Sequence, residues 1–411
     1  MEDKVIVVGG GAAGMIAAGI AAKNGADVLL LEKNEQLGKK ILITGKGRCN
    51  LTNDCDIEEI INNFPDTGSF LYSALYTFSN YQLREFFDQL GVPTKVERGD
   101  RVFPKSDSAI DVVAALKKYL DKNGVKIKLN TAVDNLLVEK NQIKGVIDRS
   151  GNQYLAKKVI FTPGGAVYPS TGSSGDGYNI LKDVGHTVKP IKPSLVPLET
   201  KEEWATEAQG LPLKNVEATL YFNEQPIKSE FGELLFTHFG ISGPIVLTLS
   251  RDVVNHLGKG SLKLEIDLKP ALSKEKLDRR IQRDFNKYSR KQFKNSLGDL
   301  LPSTLIPIII DLSPIPEDKF VNQINAGERS QLVKLFKGLT LTILGTRGLR
   351  QAIVTKGGVA TDEIDPSTME SKIVSGLYLA GEVIDIDAYT GGFNLQAAFS
   401  TGYLAGINII N

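Results

Sequence analysis

The stretch VIVVGGGAAGMIAAGIAAKNGADVLLLEK, Val5 to Lys33, constrains the fold more than any other part of the chain. An apolar run, Val5 to Val8, reads as a buried parallel strand. Gly9, Gly11 and Gly14 follow in G-x-G-x-x-G spacing and open an Ala-rich helix. The first glycine permits a tight turn, the second leaves room for a pyrophosphate, and the third lets helix and strand approach. Phosphate oxygens would meet the free amides of the first helical turn, which includes Ala12 and Ala13. A second apolar run, Asp27 to Leu31, ends in Glu32 and Lys33. A carboxylate there, about twenty residues past the glycines, can accept both ribose hydroxyls of an adenosine and repel a 2′-phosphate. The sequence therefore predicts a strand–turn–helix–strand unit holding a dinucleotide.

The 411 residues suffice for two or three domains. With 42% apolar and 24% charged residues and a net charge of +1, nothing global draws the chain to nucleic acid or membrane. No apolar run is long enough for a membrane span, and a strand occupies the place of a signal peptide, so a cytoplasmic protein is expected. Cys49 and Cys55 are too few for a disulfide framework and lack metal-site spacing, so no metal site is expected. Nothing in the pattern sets an oligomeric state.

After Glu32 comes the loop-rich stretch EQLGKKILITGKGRCNLTN, where Gly38, Gly45 and Gly47 sit among Lys39, Lys40, Lys46 and Arg48. Glycine amides ringed by cations make an anion-binding surface, read here as cofactor contact. Helices follow over 57–92 and from about Ile110 to Lys122, then short strands to Asp148. The strand Val159 to Phe161 runs into Thr162, Pro163, Gly164 and Gly165, a second backbone segment suited to lie over the dinucleotide. Pro190, Pro193 and Pro197 mark a domain crossing. Short strands are expected around Ala218–Phe222, Leu234–Thr237, Ile245–Leu249 and Ser261–Leu268, a small β-barrel or sandwich. Ser273 to Lys294 turns helical and is rich in Lys and Arg; a solvated face is the expected reading, with no nucleic-acid motif beside it. His186 and His256 fall in unremarkable turns.

At the far end, GLYLAGEVIDIDAYTGGFNLQAAFSTGYLAG gives a strand, Leu377 to Ala380, then Gly381 and Glu382, then Gly391 and Gly392 before a helix near Asn394. A carboxylate after such a strand suits the ribitol and pyrophosphate region of FAD. The helix N-terminus suits the pyrimidine edge of the flavin, where its dipole stabilises negative charge. A nucleotide element returning from the end of the chain fits FAD better than NAD; NAD(P)H is expected only as a transient electron donor.

GGGAAGMIAA, GKKILITGKGRCNLTN, TPGGAVYPSTGSSGDGY, GELLFTHFGISGPIVL and the terminal stretch together resemble the bacterial BaiN-like flavoproteins, also called aminoacetone-oxidase-family oxidoreductases. The resemblance spans nearly the whole chain. It implies an α/β protein whose doubly wound FAD-binding domain, residues 1–192 and 351–411, is interrupted by a β-barrel over 193–271 and 338–350 and a small helical insert over 272–337. It places cofactor contacts on Gly9, Gly11, Gly14, Glu32, Arg48, Cys49, Asn50, Gly164, Gly165, Gly381, Glu382, Gly392, Asn394 and Leu395, to which the residue reading adds Ala12, Ala13, Lys33, Lys40, Gly47 and Thr162.

The expected activity is hydride transfer between FAD and a small organic substrate, plausibly at an activated double bond. His238, between a barrel strand and a glycine-proline turn, is the candidate proton donor, and Arg350 the candidate to orient a carboxylate or carbonyl. Three rivals stand beside this. A disulfide reductase would use the two cysteines, although their spacing is wrong and no second glycine motif holds NADPH. A nucleic-acid modifying enzyme would use the basic helix, although nucleic acid is not the expected partner. A redox sensor would use the flavin without turnover.

Overall fold

The computed structural model describes residues 4–410, which fall into two units, one running up to Ser194 and resuming at Gly348, the other Leu195–Arg347. The first contains a five-stranded parallel sheet, in order Leu377–Leu379, Lys158–Phe161, Lys4–Val8, Asp27–Leu31 and Lys126–Lys128. Its central strands bury side chains on both faces, so Val5, Ile6 and Val7 are all enclosed, as an uninterrupted apolar run requires. The helix Ala12–Lys23 packs on it, and the C-terminal helix Phe393–Asn408 packs closely on that helix. Small residues make that contact close: a Cβ on Gly402 would stand 2.4 Å from the Ala13 carbonyl oxygen. The unit also holds two three-stranded antiparallel sheets, over residues 52–104 and 133–155, and a two-stranded one, Lys192–Ser194 with Val354–Lys356.

The second unit is built on a closed six-stranded barrel in the order Leu198–Thr200, Gly240–Ser242, Gln225–Thr237, Pro212–Phe222, Leu262–Asp267 and Leu339–Thr346. Alternation sets which face is interior: Leu262, Leu264 and Ile266 are buried, and the residues between them are not. Between the last two strands the chain leaves the barrel for the helices Lys274–Lys287, Leu305–Leu312 and Ala326–Lys337. Each unit has its own apolar core.

Three elements differ from the sequence reading. Ile245–Leu249 is no strand but part of the helix Pro244–His256. A short apolar run fits either structure; Pro244 at the first helical position and buried Ile245, Val246, Leu249 and Val253 on one face decide for the helix. Within the loop-rich stretch, Lys39–Ile43 forms a helical turn capped by left-handed Gly38. The basic helix stops at Lys287, and Phe293–Asn295 makes a separate 3-10 turn. No helix among the described residues is long and apolar enough to cross a membrane.

Candidate cofactor site

The strand Lys4–Val8 delivers the chain into a turn whose glycines serve different purposes. Gly9 has φ +99°, and a Cβ there would stand 2.3 Å from the Thr162 carbonyl oxygen. A Cβ on Gly14 would come within 1.8 Å of the Gly9 oxygen. Thr162 donates its hydroxyl to the Val8 and Gly9 carbonyls, at 2.8 and 3.1 Å, tying the neighbouring strand to the turn. Gly11 is otherwise: its φ of −82° suits any residue, and a Cβ would meet nothing within 4 Å. The protein neither strains nor crowds this position, so the missing side chain clears space outside the chain. That space adjoins the first turn of the helix Ala12–Lys23, which has no side-chain cap among the described residues and contains no acidic residue.

Glu32 is buried and accepts the Gly10 amide at 2.6 Å; its other oxygen accepts the Asn34 amide and side chain at 2.8 and 2.6 Å. The carboxylate therefore braces the glycine turn, with lone pairs remaining for a ribose. Asn34, which sequence reasoning passed over, also donates to the Thr171 carbonyl, and Lys33 donates to Ser174 at 2.8 Å. Together they hold the Gly172–Gly177 loop against the end of the second strand.

Residues far apart in sequence converge at Glu382. Its carboxylate pairs with Lys40 and accepts the Thr355 amide at 2.8 Å, while its carbonyl accepts the Tyr178 hydroxyl at 3.2 Å. Gly165 lies directly beneath: a Cβ there would be 2.3 Å from the Thr355 hydroxyl and 2.7 Å from Glu382 Cδ. Beside it, Gly164 is left-handed at φ +81°. Tyr168, left-handed at φ 57°, lies under Lys40, and burial and then Glu382 push its phenol upward. Tyr168 and Tyr178 lie within the stretch TPGGAVYPSTGSSGDGY but without a role legible there, and Thr355 carried no motif signal.

The C-terminal helix begins after Gly392, where a Cβ would stand 2.3 Å from the Thr52 oxygen. Gly381 donates its amide to Thr401. No side chain caps the first turn, Phe393 to Leu395. The Asn394 side chain brackets Ala388, donating to its oxygen at 3.0 Å and accepting its amide at 2.9 Å, which leaves the backbone amides as the open groups. Asn50 Oδ1 is buried without a hydrogen-bond partner among the described residues.

Other named residues are engaged differently. The Arg48 guanidinium is held by Glu97 at 2.6 Å and Asp107 at 2.9 Å, over the Phe103 ring. Gly47, left-handed at φ 85°, is exposed beside it. Cys49 is fully buried in a left-handed turn, and burial pushes its thiol up to about 12. Cys55 is raised to about 12 by burial and nearby carboxylates; both are free thiols. Neither offers the low-pKa thiolate a disulfide reductase uses. His238 is exposed in the turn before Gly240, edge-on to Phe239 at 4.9 Å, and Arg350 is exposed in the other unit. His186 proves buried between Glu363 and Ser371, and His256 closes a helix rather than sitting in a turn.

An uncapped helix end facing cleared space, a braced acid at the end of the second strand and an orphaned amide oxygen fit a group carrying adenosine diphosphate and a ring with N–H donors. The family described as HI0933-like protein Rossmann domain matches residues 3–408. The chain belongs to that family. Over 408 residues and 98% of each chain, this HI0933-like protein is 35% identical to the 3-dehydro-bile acid delta(4,6)-reductase of Clostridium scindens. Over 409 residues and 98% of each, it is 32% identical to the ribosomal RNA dihydrouridine synthase of Haemophilus influenzae. A flavocytochrome c3 fumarate reductase in its open conformation shares the fold, with a TM-score of 0.55 at 17% identity, covering 100% of this chain and 78% of that one. The HI0933-like chain is a flavoprotein oxidoreductase on a doubly wound core.

Proposed function

We propose that this protein is an FAD-dependent reductase of a carbon–carbon double bond conjugated to a carbonyl, reduced in turn by NADH or NADPH. The observation that carries the reading is the similarity, over 98% of each chain, to a 3-dehydro-bile acid delta(4,6)-reductase and a ribosomal RNA dihydrouridine synthase, both named for adding hydrogen across a carbon–carbon double bond. In this reading the amides of Ala12, Ala13 and Gly14 take the pyrophosphate, and Glu32 the adenosine ribose. Lys40 and Glu382 border the ribitol. The first turn of the helix Phe393–Asn408 and Asn50 Oδ1 meet the polar edge of the ring. Bound there, FAD supplies hydride from its N5 position. The chain supplies the proton, from the exposed His238 imidazole, and Arg350 orients the substrate oxygen. A second reading, in which the double bond belongs to a pyrimidine base within RNA, is favoured by the dihydrouridine synthase relative.

The test is anaerobic reduction of the purified yellow protein with NADH or NADPH, followed by reoxidation with a conjugated enone and, separately, with uridine-containing RNA. Reoxidation by neither, in protein whose flavin reduces fully, defeats the proposal. His238→Ala should slow reoxidation about 10²-fold while leaving flavin reduction unchanged, the scale of a lost general acid. Equal loss in both half-reactions would make His238 structural.

A further inference from the structure

The helices of the barrel unit carry charge in an arrangement that the sequence alone does not reveal. The helix Lys274–Lys287 and the helix Ala326–Lys337 run antiparallel, since Lys337 reaches the Leu272 carbonyl at one end and Val321 donates to Lys291 at the other. The first has acids as well as bases, but two of its three acids are turned into the insert. Asp278 is taken by Arg329 at 2.9 Å, and buried Asp284 by Arg280 at 2.8 Å. Exposed Lys276, Arg279, Arg283 and Lys287 therefore follow one another at three- and four-residue steps down a single face. That stripe is about 16 Å long at the helical rise. Lys276 and Arg279 form no ion pair among the described residues, and Arg283 only a 3.7 Å approach to Asp284. Lys287 pairs with Asp299 and, with Lys291, lies over the Tyr288 ring at 4.7 and 4.3 Å. Beside the stripe, a groove of about 540 Å³ between the two helices is edged by exposed Lys274 and Lys334, with exposed Glu275 and the Arg329-paired Asp278 also in its lining.

From this geometry we infer that the helical insert is an RNA-docking surface, with the stripe Lys276–Arg279–Arg283–Lys287 following a phosphate backbone and Lys274 and Lys334 extending it at the groove. The inference rests on the second reading above, that the reduced base is carried by RNA. Cations at a spacing of about 6 Å along a helix match successive phosphates, and the two arginines offer forks for phosphate oxygens. The apolar residues of the helix, Leu277, Ile281 and Phe285, are buried in the insert. The face therefore has nothing to insert into a bilayer and no apolar anchor for a protein partner.

The test uses the full-length, FAD-loaded protein and deproteinised bacterial ribosomal RNA as probe, with affinity measured from about 50 to 200 mM salt. Lys276, Arg279, Arg283 and Lys287 are replaced together by Gln. A control replaces exposed Lys23, Lys118, Lys122 and Lys140 of the other unit, also by Gln. The stripe variant should bind RNA about 100-fold or more weakly near 150 mM salt, with the slope of log affinity against log salt shallower by about 3. Its flavin content and its reduction should match wild type. Undiminished binding by the stripe variant, or equal loss in the control, overturns the inference. So does a wild type that ignores RNA but binds phosphatidylserine vesicles through the same four residues. The reaction reading fails separately: RNA bound through the stripe yet never reduced by the loaded enzyme leaves the surface standing and removes the RNA substrate.

Discussion

At Gly11 the fold does not require the absence of a side chain, and this separates it from its neighbours. Gly9 and Gly14 would drive a Cβ into backbone oxygens, whereas Gly11 has ordinary dihedrals and open space. Gly11→Val should therefore give a folded protein, with thermal stability near that of wild-type protein stripped of FAD, that no longer retains FAD. Absorbance at the flavin band together with a melting curve reads both; a fully loaded variant would show that the pyrophosphate lies elsewhere. The cysteines permit an equally direct check. Because burial raises both thiols to about 12, Cys49→Ser with Cys55→Ser should keep its flavin, and wild type and variant should each take up two electrons per flavin in anaerobic titration. Uptake of four by wild type alone would restore a redox-active pair. The glycine turn and the placing of Glu32 at the end of the second strand were legible as local structure because they lie within one short stretch. Asn34, Tyr168 and Thr355 were not, because each also meets a partner distant in sequence, Thr171, Lys40 and Ala166 in turn.

The segment 361–376 has little regular structure beyond a single 3-10 turn, and His186 holds it in place. Ser371 Oγ accepts the amides of Ile373 and Val374 at 3.1 and 2.9 Å, so its proton points to His186 Nε2 at 2.9 Å. The imidazole must then carry its proton on Nδ1 and donate it to Glu363 at 3.0 Å, an oxygen that also accepts the Thr187 amide. This arrangement requires a neutral ring. Burial lowers the His186 pKa, with Glu363 opposing but not reversing the shift. A histidine depressed in the folded state binds fewer protons folded than unfolded, so its stability contribution is present above the unfolded value of about 6.5 and lost as pH falls through the folded one. His186→Gln should cost about 1–3 kcal/mol at pH 7.5, the scale of buried polar groups left unpaired. The gap between variant and wild type should narrow by pH 5.5. Denaturant midpoints at the two pH values test this; a constant gap would show that His186 does not titrate there. Sequence placed His186 in a turn because Glu363 and Ser371 lie about 180 positions away.

For the whole molecule, the boundary between the units offers the sharpest expectation. Arg347 donates its amide to Pro197 at 3.0 Å and pairs with Glu199, so the ends of the second unit meet. On the other side, Lys192–Ser194 pairs antiparallel with Val354–Lys356, so the gap in the first unit is narrow. The excised segment 195–347, with a closed barrel and its own core, should unfold cooperatively by circular dichroism without binding flavin. The remaining chain, joined by a short linker across the gap, should retain FAD. A fragment with no cooperative transition would show that the barrel depends on the rest of the chain. Local sequence determined the nucleotide unit, the parallel strands and the terminal helix, because strand periodicity, glycine turns and helix starts are set within a few residues. Tertiary structure decided the rest. It chose helix over strand at Ile245–Leu249 by packing one face inward, brought Lys40 to Glu382 across 342 positions, and engaged Asp278 and Asp284 of the basic helix with arginines while four of its cations stand exposed on one face. Those outcomes depend on which distant groups a side chain meets, and spacing along the chain carries no record of that.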